Sequence, residues 1–188
     1  VLVLPLDADS ETVVGEGYQV PVNETVYTIE TGANPSYDTS TIQVVVESLV
    51  TPRSVYDLDL ATGDLTLLKR QPVLGGYDPA DYQQHRLWAT AADGTRVPIS
   101  LVARKDVQPD GTAPGLLYGY GSYEISIDPY FSVSRLSYLD RGVVYAIAHI
   151  RGGGEMGRSW YENGRMEHKH NTFTDFVAAA RALVAAAW

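Results

Sequence analysis

Two stretches, residues 115–131 and 145–165, each join an apolar run to a turn rich in glycine or tyrosine. The second contains Gly152-x-Gly154-x-x-Gly157 directly after its apolar run, and this spacing matches the fingerprint of a loop that binds a dinucleotide pyrophosphate. In that fold a helix begins at the turn, whereas here RSWYENGRMEHKHN follows, with a further glycine and no apolar stripe. The pattern therefore favours a tight turn that needs residues with positive φ, and it disfavours nucleotide binding.

The sequence provides no recognisable nucleophile or metal site. Ser122 and Ser159 each lack a glycine that would complete the G-x-S-x-G elbow of a serine hydrolase. His168 and His170 flank a lysine with no further ligand at a suitable spacing, so a solvated loop is favoured over a metal site. His149 ends an apolar run, where a hydrogen-bonded core role is favoured over that of a general base. The chain has no cysteine, which excludes a disulfide scaffold, and the sequence predicts neither a metal nor a cofactor.

The elements around these turns predict an α/β fold. GLLYGY (115–120) and VVYAIAHI (143–150) are continuous apolar runs, typical of strands that are buried on both faces of a mostly parallel sheet. The segment between them predicts a short amphipathic helix that ends at Gly142. After the second turn, a run of strong helix formers predicts a helix that opens with a capping box from Thr172 to Asp175. This order of strands and helices is typical of an α/β sheet domain.

The first part of the chain predicts antiparallel β structure instead. Five or six short strands have the spacing of one to one and a half propeller blades, or of part of a sandwich. Residues 71–83 contain two prolines and two glycines and are typical of a linker, and a hairpin around Asp93 and Gly94 follows them. The clearest strands are 41–48, 53–60 and 65–70, and the hairpin strands are 85–91 and 95–103.

The formal net charge of −9 arises in the first part of the chain. Residues 81–188 contain equal numbers of acidic and basic residues, so the excess of carboxylates lies within residues 1–80. Negative charge opposes nucleic-acid binding, and a solvated acidic surface is favoured over a site for a cationic partner. No apolar run has the length of a membrane span, and the first residues do not have the order of a signal peptide. Because the sequence opens without a methionine, we expect it to begin inside a longer polypeptide.

Four motifs carry a family resemblance: YGYGSY (118–123), HIRGGGEMG (149–157), WYENG (160–164) and NTFTDF (171–176). With them the sequence resembles the prolyl oligopeptidase family of serine peptidases, and within that family the oligopeptidase B branch. The similarity covers most of residues 40–188 and is continuous from IDPYF to GGGEMG. Members of this family pair a seven-bladed β-propeller with an α/β-hydrolase domain, and the active site lies between the two.

The resemblance implies an α/β fold in which the front half of an α/β-hydrolase sheet domain follows antiparallel strands from the end of a β-propeller. The implied boundaries are residues 1–75 for the end of the propeller, 76–84 for a linker and 85–188 for the N-terminal half of the catalytic domain. In this family the nucleophile elbow follows the helix that ends the present sequence. We therefore expect the catalytic Ser, Asp and His to lie outside this chain and the fragment to be inactive alone.

The resemblance also implies roles for individual residues. Tyr120, the second tyrosine of YGYG, corresponds to the residue whose hydroxyl donates to the oxyanion of the tetrahedral intermediate, a task that suits a phenol. Tyr123 corresponds to an aromatic residue that lines the substrate cleft. Asp128 corresponds to the first acid of a D-x-D pair that helps to select basic substrates in the oligopeptidase B branch. Tyr130 replaces the second acid, which weakens the expectation of selectivity for paired basic residues.

We therefore expect a cytoplasmic serine oligopeptidase that cleaves short peptides after Arg or Lys, and the absence of cysteine suits that compartment. Its partners would be oligopeptide substrates and the remainder of its own catalytic domain and propeller, with no nucleic acid and no membrane. Arg151 and Glu155 are expected to form a structural ion pair or a turn anchor, without a catalytic role. Two alternatives stay open: a proline-specific oligopeptidase, and a naturally truncated, non-enzymatic protein that binds a cationic partner through its acidic β segment.

Overall fold

The computed structural model describes residues 1–7 and 12–188. Its first strands are β1 (Leu2–Val3), β2 (Tyr18–Gln19), β3 (Thr28–Thr31), β4 (Thr41–Glu47), β5 (Ser54–Asp59) and β6 (Leu65–Arg70). β1 pairs with β2, and a four-stranded sheet has the order β3-β4-β5-β6. All of these pairs are antiparallel, which confirms the prediction for this part of the chain.

The four-stranded sheet follows from a β-branched run and a tight turn. β4 carries three consecutive buried valines, a residue type that fits the pleated surface of a strand. In the turn between β5 and β6, Gly63 has φ 78°, a conformation that suits glycine. The Asp59 carboxylate accepts the backbone N–H groups of Ala61 and Thr62, each at 2.9 Å. This turn chemistry ends β5 and returns the chain as β6.

A second sheet consists of β7 (Tyr82–Thr90), β8 (Arg96–Arg104), β9 (Gly115–Tyr118) and β10 (Val144–Ala148), in the order β7-β8-β10-β9. β9 and β10 are parallel, whereas β8 runs antiparallel to both β7 and β10. The hairpin predicted around Asp93 and Gly94 joins β7 to β8, and β7 begins inside the predicted linker. Among the described strands the sheet is mixed, not mostly parallel, because a hairpin can only add antiparallel neighbours.

β9 and β10 are both apolar runs, yet they differ in burial. β10 lies between two neighbours and buries four of its five residues. β9 is the edge strand of the described sheet, and its Leu116 and Tyr118 are 38% and 42% exposed. The expectation of strands buried on both faces is therefore confirmed for β10 and wrong for β9. Local apolarity predicts a buried strand but does not predict which strand lies at an edge.

The α-helices of the described residues are α1 (Val133–Leu139), α2 (Arg158–Glu162) and α3 (His170–Ala185). α1 confirms the predicted short helix between the two apolar runs. Ser132 caps its N-terminus, and Gly142 lies three residues beyond its end with φ 79°. Within residues 1–7 and 12–188, no helix has both the length and the apolarity that a membrane crossing requires.

The capping box predicted at Thr172 and Asp175 is wrong. α3 begins at His170, so both residues lie inside the helix, and no side chain caps its N-terminus. Both side chains are buried and contact Arg151. The Thr172 hydroxyl donates to the Arg151 carbonyl at 2.7 Å, and the Asp175 carboxylate accepts from the Arg151 guanidinium. The two polar groups serve tertiary contacts, which the local pattern could not distinguish from a cap.

The second sheet is packed on both of its faces. On one face, α3 and Trp160 share a buried cluster with side chains of β8 and β10. On the other face, Leu139 of α1 shares a cluster with Val102 and Ile147, and this cluster includes Val26 and Leu49 from the first part of the chain. Side chains alternate between the two faces because successive residues of a strand point in opposite directions. This packing fixes the ends of β9 and β10, from which the two glycine-rich turns emerge.

Candidate functional site

Tyr120 lies in the turn after β9, between two closely packed glycines; residues 119–127 are called the YGYG loop below. A Cβ atom at Gly119 would lie 3.0 Å from the Phe176 ring, and one at Gly121 would lie 2.6 Å from the Thr172 methyl group. Gly121 also has φ 68°, in the left-handed region that favours glycine. The backbone on both sides of Tyr120 is therefore pressed against α3, while the Tyr120 side chain stays 42% exposed. The loop presents a phenol to solvent from a fixed backbone.

Lys169, at the start of α3, binds the YGYG loop directly after Tyr120. Its ammonium group donates to the Gly121 carbonyl at 2.5 Å and to the Ser122 hydroxyl at 2.7 Å. Burial lowers the pKa of Lys169 from its ordinary value. Thr172, one turn further along the helix, donates to the Arg151 carbonyl. The first turn of α3 thus holds the ends of both β9 and β10.

The glycine loop, defined as residues 151–157, packs against the YGYG loop. The Glu124 N–H donates to the Gly152 carbonyl at 3.0 Å. A Cβ at Gly152 would lie 2.1 Å from the Gly121 carbonyl oxygen, so the two backbones approach too closely for any side chain there. Gly152 and Gly157 have φ 101° and 86°, as the prediction of a turn with positive φ requires. In the described structure Gly152 serves loop-to-loop packing, whereas a Cβ at Gly157 would meet nothing within 4 Å.

Tyr123 lies at the tip of the YGYG loop with its side chain 78% exposed. Tyr123 and Glu124 have φ 54° and 59°, so two consecutive residues with side chains adopt the left-handed region. Each such residue costs of the order of 1 kcal/mol and persists only where its surroundings hold it. Here Glu124 is held through its backbone by Gly152 and through its carboxylate by Arg158 at 2.5 Å. These contacts fix where the Tyr123 ring leaves the surface.

Arg151 forms the buried centre of the site but does not pair with Glu155. Its guanidinium donates two hydrogen bonds to Asp175, at 2.8 and 2.6 Å, and its backbone N–H donates to the same carboxylate at 3.0 Å. A third guanidinium contact reaches Asp93 in the β7–β8 turn at 2.6 Å. Hydrogen bonds from Arg151 and from the Thr95 backbone lower the pKa of Asp93 to about 2. Of the two roles expected for Arg151 and Glu155, the mutual ion pair is wrong, because Arg151 pairs with Asp175 and Asp93, and the contacts of Arg151 fit the alternative of a turn anchor.

Glu155 instead joins the YGYG loop to His149. Its Oε1 accepts the Ile127 backbone N–H at 3.1 Å and lies 3.7 Å from His149 Nδ1. His149 Nε2 shares a hydrogen bond of 2.6 Å with the hydroxyl of Ser100, and His149 and Ser100 are both buried. The expected hydrogen-bonded core role of His149 is therefore confirmed. Within the described part of the chain, His149 Nδ1 and Glu155 Oε2 are buried atoms that make no hydrogen bond.

Asp128 lines a separate cleft of about 400 Å³ beside the YGYG loop, together with Glu155 and His149. Burial and the negative charge of Glu155 raise the pKa of Asp128, because both disfavour its ionised form. Tyr27, Arg86 and Trp88 form another part of the wall. Tyr120 and Tyr123 do not line this cleft in the described structure. Of the three residues implied by the resemblance, Tyr120 and Tyr123 thus belong to the YGYG loop, and Asp128, which directly follows this loop, lies on a neighbouring surface.

Tyr130, which replaces the second acid of the D-x-D pair, does not line the cleft either. Its ring lies 5.1 Å from the Arg135 guanidinium, which also lies 4.3 Å from the Tyr145 ring. Arg135 is buried and donates to the Tyr130 carbonyl at 2.7 Å. Two aromatic faces therefore stabilise this cation. Position 130 contributes to the packing of α1 and not to the wall around Asp128.

Sequence reasoning missed Lys169, Ser100 and Asp93. Lys169 lies between two histidines in a segment that the sequence favours as a solvated loop, and no local signal connects it with residues 121–122. Ser100 is a polar residue within the predicted strand 95–103, and its partner is separated from it by 49 residues. Asp93 has an ordinary role in a hairpin turn, where its carboxylate accepts the Thr95 N–H, and this role gives no sign of Arg151. Each contact depends on tertiary proximity.

The known proteins that are similar to this chain are peptidases by name. Residues 129–188 match the model of the prolyl oligopeptidase family. Dipeptidyl aminopeptidase BI from Pseudoxanthomonas mexicana is 48% identical over 171 residues, which are 90% of this chain and 24% of that protein. Protease 2 from Moraxella lacunata is 45% identical over 170 residues, which are 90% of this chain and 25% of that protein.

A solved structure of an oligopeptidase B is also similar to this chain over almost its whole length. The structure of oligopeptidase B from Trypanosoma brucei with covalently bound antipain, in its closed form, superposes with a TM-score of 0.88 and 40% identity. The match covers 99% of this chain and 27% of that chain. The present chain spans about a quarter of the length of the relatives it matches. The sequence relatives and the superposition agree with the family match, and residues 129–188 of this chain belong to the prolyl oligopeptidase family.

Proposed function

We propose that this chain supplies the oxyanion side and part of the substrate cleft of a serine oligopeptidase. Tyr120 is the observation that carries the proposal, because its exposed phenol extends from a backbone fixed by Gly119 and Gly121. A preorganised O–H donor of this kind stabilises the negative charge of a tetrahedral intermediate by about 3 kcal/mol. The catalytic Ser, Asp and His come from residues outside this chain. Alone, the chain therefore binds no covalent inhibitor and turns over no peptide.

The proposed substrates are short peptides with Arg or Lys before the scissile bond. Asp128 supports this selectivity, since it places a carboxylate in a cleft next to the YGYG loop. Glu155 adds a second carboxylate to the same wall and compensates in part for the acid that Tyr130 replaces. A cationic side chain between them would relieve the repulsion that raises the pKa of Asp128.

The proposal includes a division of the chain into residues 1–75 from the end of a β-propeller, 76–84 as a linker whose last three residues already begin β7, and 85–188 from the front half of an α/β-hydrolase sheet. The antiparallel sheet β3-β4-β5-β6 has the strand number of one propeller blade and supports the first assignment. The parallel pair β9–β10, with α3 on one face, supports the second. The open edge of β9 would then receive the next strand of the same domain. We place the enzyme in the cytoplasm.

The test uses the full-length protein and fluorogenic peptides that differ only in the residue before the scissile bond. We expect Arg and Lys peptides to have a kcat/KM at least tenfold above that of Pro or Ala peptides. One relative is named a dipeptidyl aminopeptidase, so each peptide is compared with a free and with an acetylated N-terminus. Preference for Pro overturns the basic selectivity and leaves the peptidase, whereas no turnover of any peptide overturns the proposal as a whole.

A second experiment separates the enzyme from the non-enzymatic alternative. A fluorophosphonate probe is added to the full-length protein and to residues 1–188 alone. Labelling of the full-length protein together with no labelling of the chain is the expected pair of results. A reading frame that ends at Trp188, combined with binding of a cationic partner, would instead favour the interaction protein.

A further inference from the structure

Lys169 is a partly buried cation with an unusual set of partners. Within residues 1–7 and 12–188, no carboxylate lies within 4.0 Å of its ammonium group, whereas the guanidinium groups of Arg151 and Arg158 each have two. Its partners are neutral oxygens, the carbonyl of Gly121 and the hydroxyl of Ser122. A cation that is partly removed from water without a counter-ion costs free energy, and here the compensation comes from the YGYG loop.

We propose that Lys169 is a positioning residue for Tyr120: the ammonium group fixes residues 121 and 122, and thereby the direction in which the preceding phenol extends. This inference rests on the proposed oxyanion role of Tyr120. It assigns Lys169 no contact with the substrate, and no step of the reaction passes through its nitrogen.

The geometry supports this role because the two hydrogen bonds act on the residues directly after Tyr120. On the other side of Tyr120, Gly119 is already confined by the Phe176 ring. The next restraint after Ser122 is the bond from the Glu124 N–H to the Gly152 carbonyl, which holds a separate part of the loop. Without Lys169, the hydrogen bonds left to residues 121 and 122 would be the one from the Ile125 N–H to the Ser122 carbonyl at 3.0 Å, which stays within the loop itself, and the weak contact from the Thr172 hydroxyl to the Gly121 carbonyl at 3.4 Å.

A loosened Tyr120 should affect the transition state more than the bound substrate. The oxyanion exists only in the tetrahedral intermediate, so a donor displaced by a fraction of an ångström lowers kcat and leaves KM almost unchanged. Misplacement by about 1 Å costs on the order of 100-fold in rate. The Asp128 cleft is held by Glu155 and lies on another surface, so substrate binding there should persist.

The test is a double-mutant cycle in the full-length protein, with an Arg peptide as substrate. Lys169→Met should lower kcat by about 10- to 100-fold with KM changed less than twofold. In a Tyr120→Phe background the same substitution should lower kcat less than twofold, since the hydroxyl that Lys169 positions is already absent. Lys105→Met is the matched control: Lys105 is exposed, and we expect wild-type kinetics.

Three outcomes overturn the proposal: an unchanged kcat in Lys169→Met, a change in KM alone, or an equal loss of kcat with and without Tyr120→Phe. If Tyr120→Phe itself leaves kcat unchanged, the oxyanion role fails first, which keeps the two failures distinguishable. Should Lys169→Met not fold, Ser122→Ala gives the second test, because it removes one of the two acceptors. It should lower kcat less than Lys169→Met would and have no further effect in the Tyr120→Phe background, and an equal effect in both backgrounds overturns the proposal.

Discussion

At the scale of single residues, buried charges in this chain are stabilised in different ways. Arg151 has two carboxylates, Arg135 has two aromatic rings, and Lys169 has two neutral oxygens. These different partners determine how much a mutation destabilises the protein. Removal of one partner leaves a buried charge uncompensated only where too few other partners remain. The pair of Arg151 and Asp175 is the most sensitive, because the Asp175 side chain is completely buried.

Asp175→Asn should destabilise the protein by about 3 kcal/mol or more, because the buried guanidinium of Arg151 would keep only the partly exposed Asp93 as a counter-ion. Urea denaturation of the full-length protein measures this loss as a lower midpoint. Asp106→Asn is the matched control, since Asp106 forms an exposed pair with Arg104 and its loss should leave the midpoint unchanged. Equal midpoints for Asp175→Asn and the wild type would contradict the structural role assigned to Arg151.

At the scale of elements, the sequence predicts those helices, turns and strands that are determined by interactions between residues close together in the chain. The α1 helix, the β7–β8 hairpin and the antiparallel strands of the first part all follow from periodicity, caps and turn residues. The capping box failed because Thr172 and Asp175 bind Arg151, 21 and 24 residues away in sequence. The expected Arg151–Glu155 pair failed for the same reason: several carboxylates were available, and packing of α3 on the sheet decided between them. Sequence spacing contains no information about that choice.

The close approach of the YGYG loop to α3 gives a prediction for Gly121. Gly121→Ala would place a Cβ 2.6 Å from the Thr172 methyl group in a backbone with φ 68°, so both a clash and backbone strain arise. We expect a loss of stability of about 2 kcal/mol or more and a fall in kcat, as Tyr120 shifts with its neighbour. Thermal unfolding and steady-state kinetics of the full-length protein measure the two effects.

Gly142→Ala is the matched control for this substitution. Gly142 has a similar φ of 79°, but a Cβ there meets nothing within 4 Å. It should therefore cost only about 1 kcal/mol of backbone strain and leave kcat unchanged. If Gly121→Ala behaved like Gly142→Ala in both measurements, close packing against α3 would not be what fixes the loop.

At the scale of the whole molecule, the two sheets are joined by polar contacts as well as by a shared core. The Glu47 carboxylate at the end of β4 accepts the Phe131 backbone N–H at 2.8 Å. Glu24 accepts from the Gln84 amide of β7 and from the Thr51 hydroxyl, each at 2.7 Å. The sequence shows that the first part of the chain is acidic, and it favours a solvated acidic surface there. Two of these carboxylates instead hold the first part of the chain against the second sheet and the segment after Asp128.

Glu47 therefore links β4 to the segment that carries Asp128, and its removal should loosen that segment. In Glu47→Ala the Phe131 N–H loses a charged acceptor, a hydrogen bond worth about 1.5 kcal/mol, so we expect amide exchange at Phe131 to rise about tenfold. Because Asp128 lies three residues earlier, KM for an Arg peptide should rise while kcat stays close to the wild-type value. Glu16→Ala, a change of an exposed carboxylate in the first part of the chain, should alter neither quantity. Faster exchange with an unchanged KM would mean that this segment moves without affecting substrate binding, and the place of Asp128 in the substrate cleft would then be wrong.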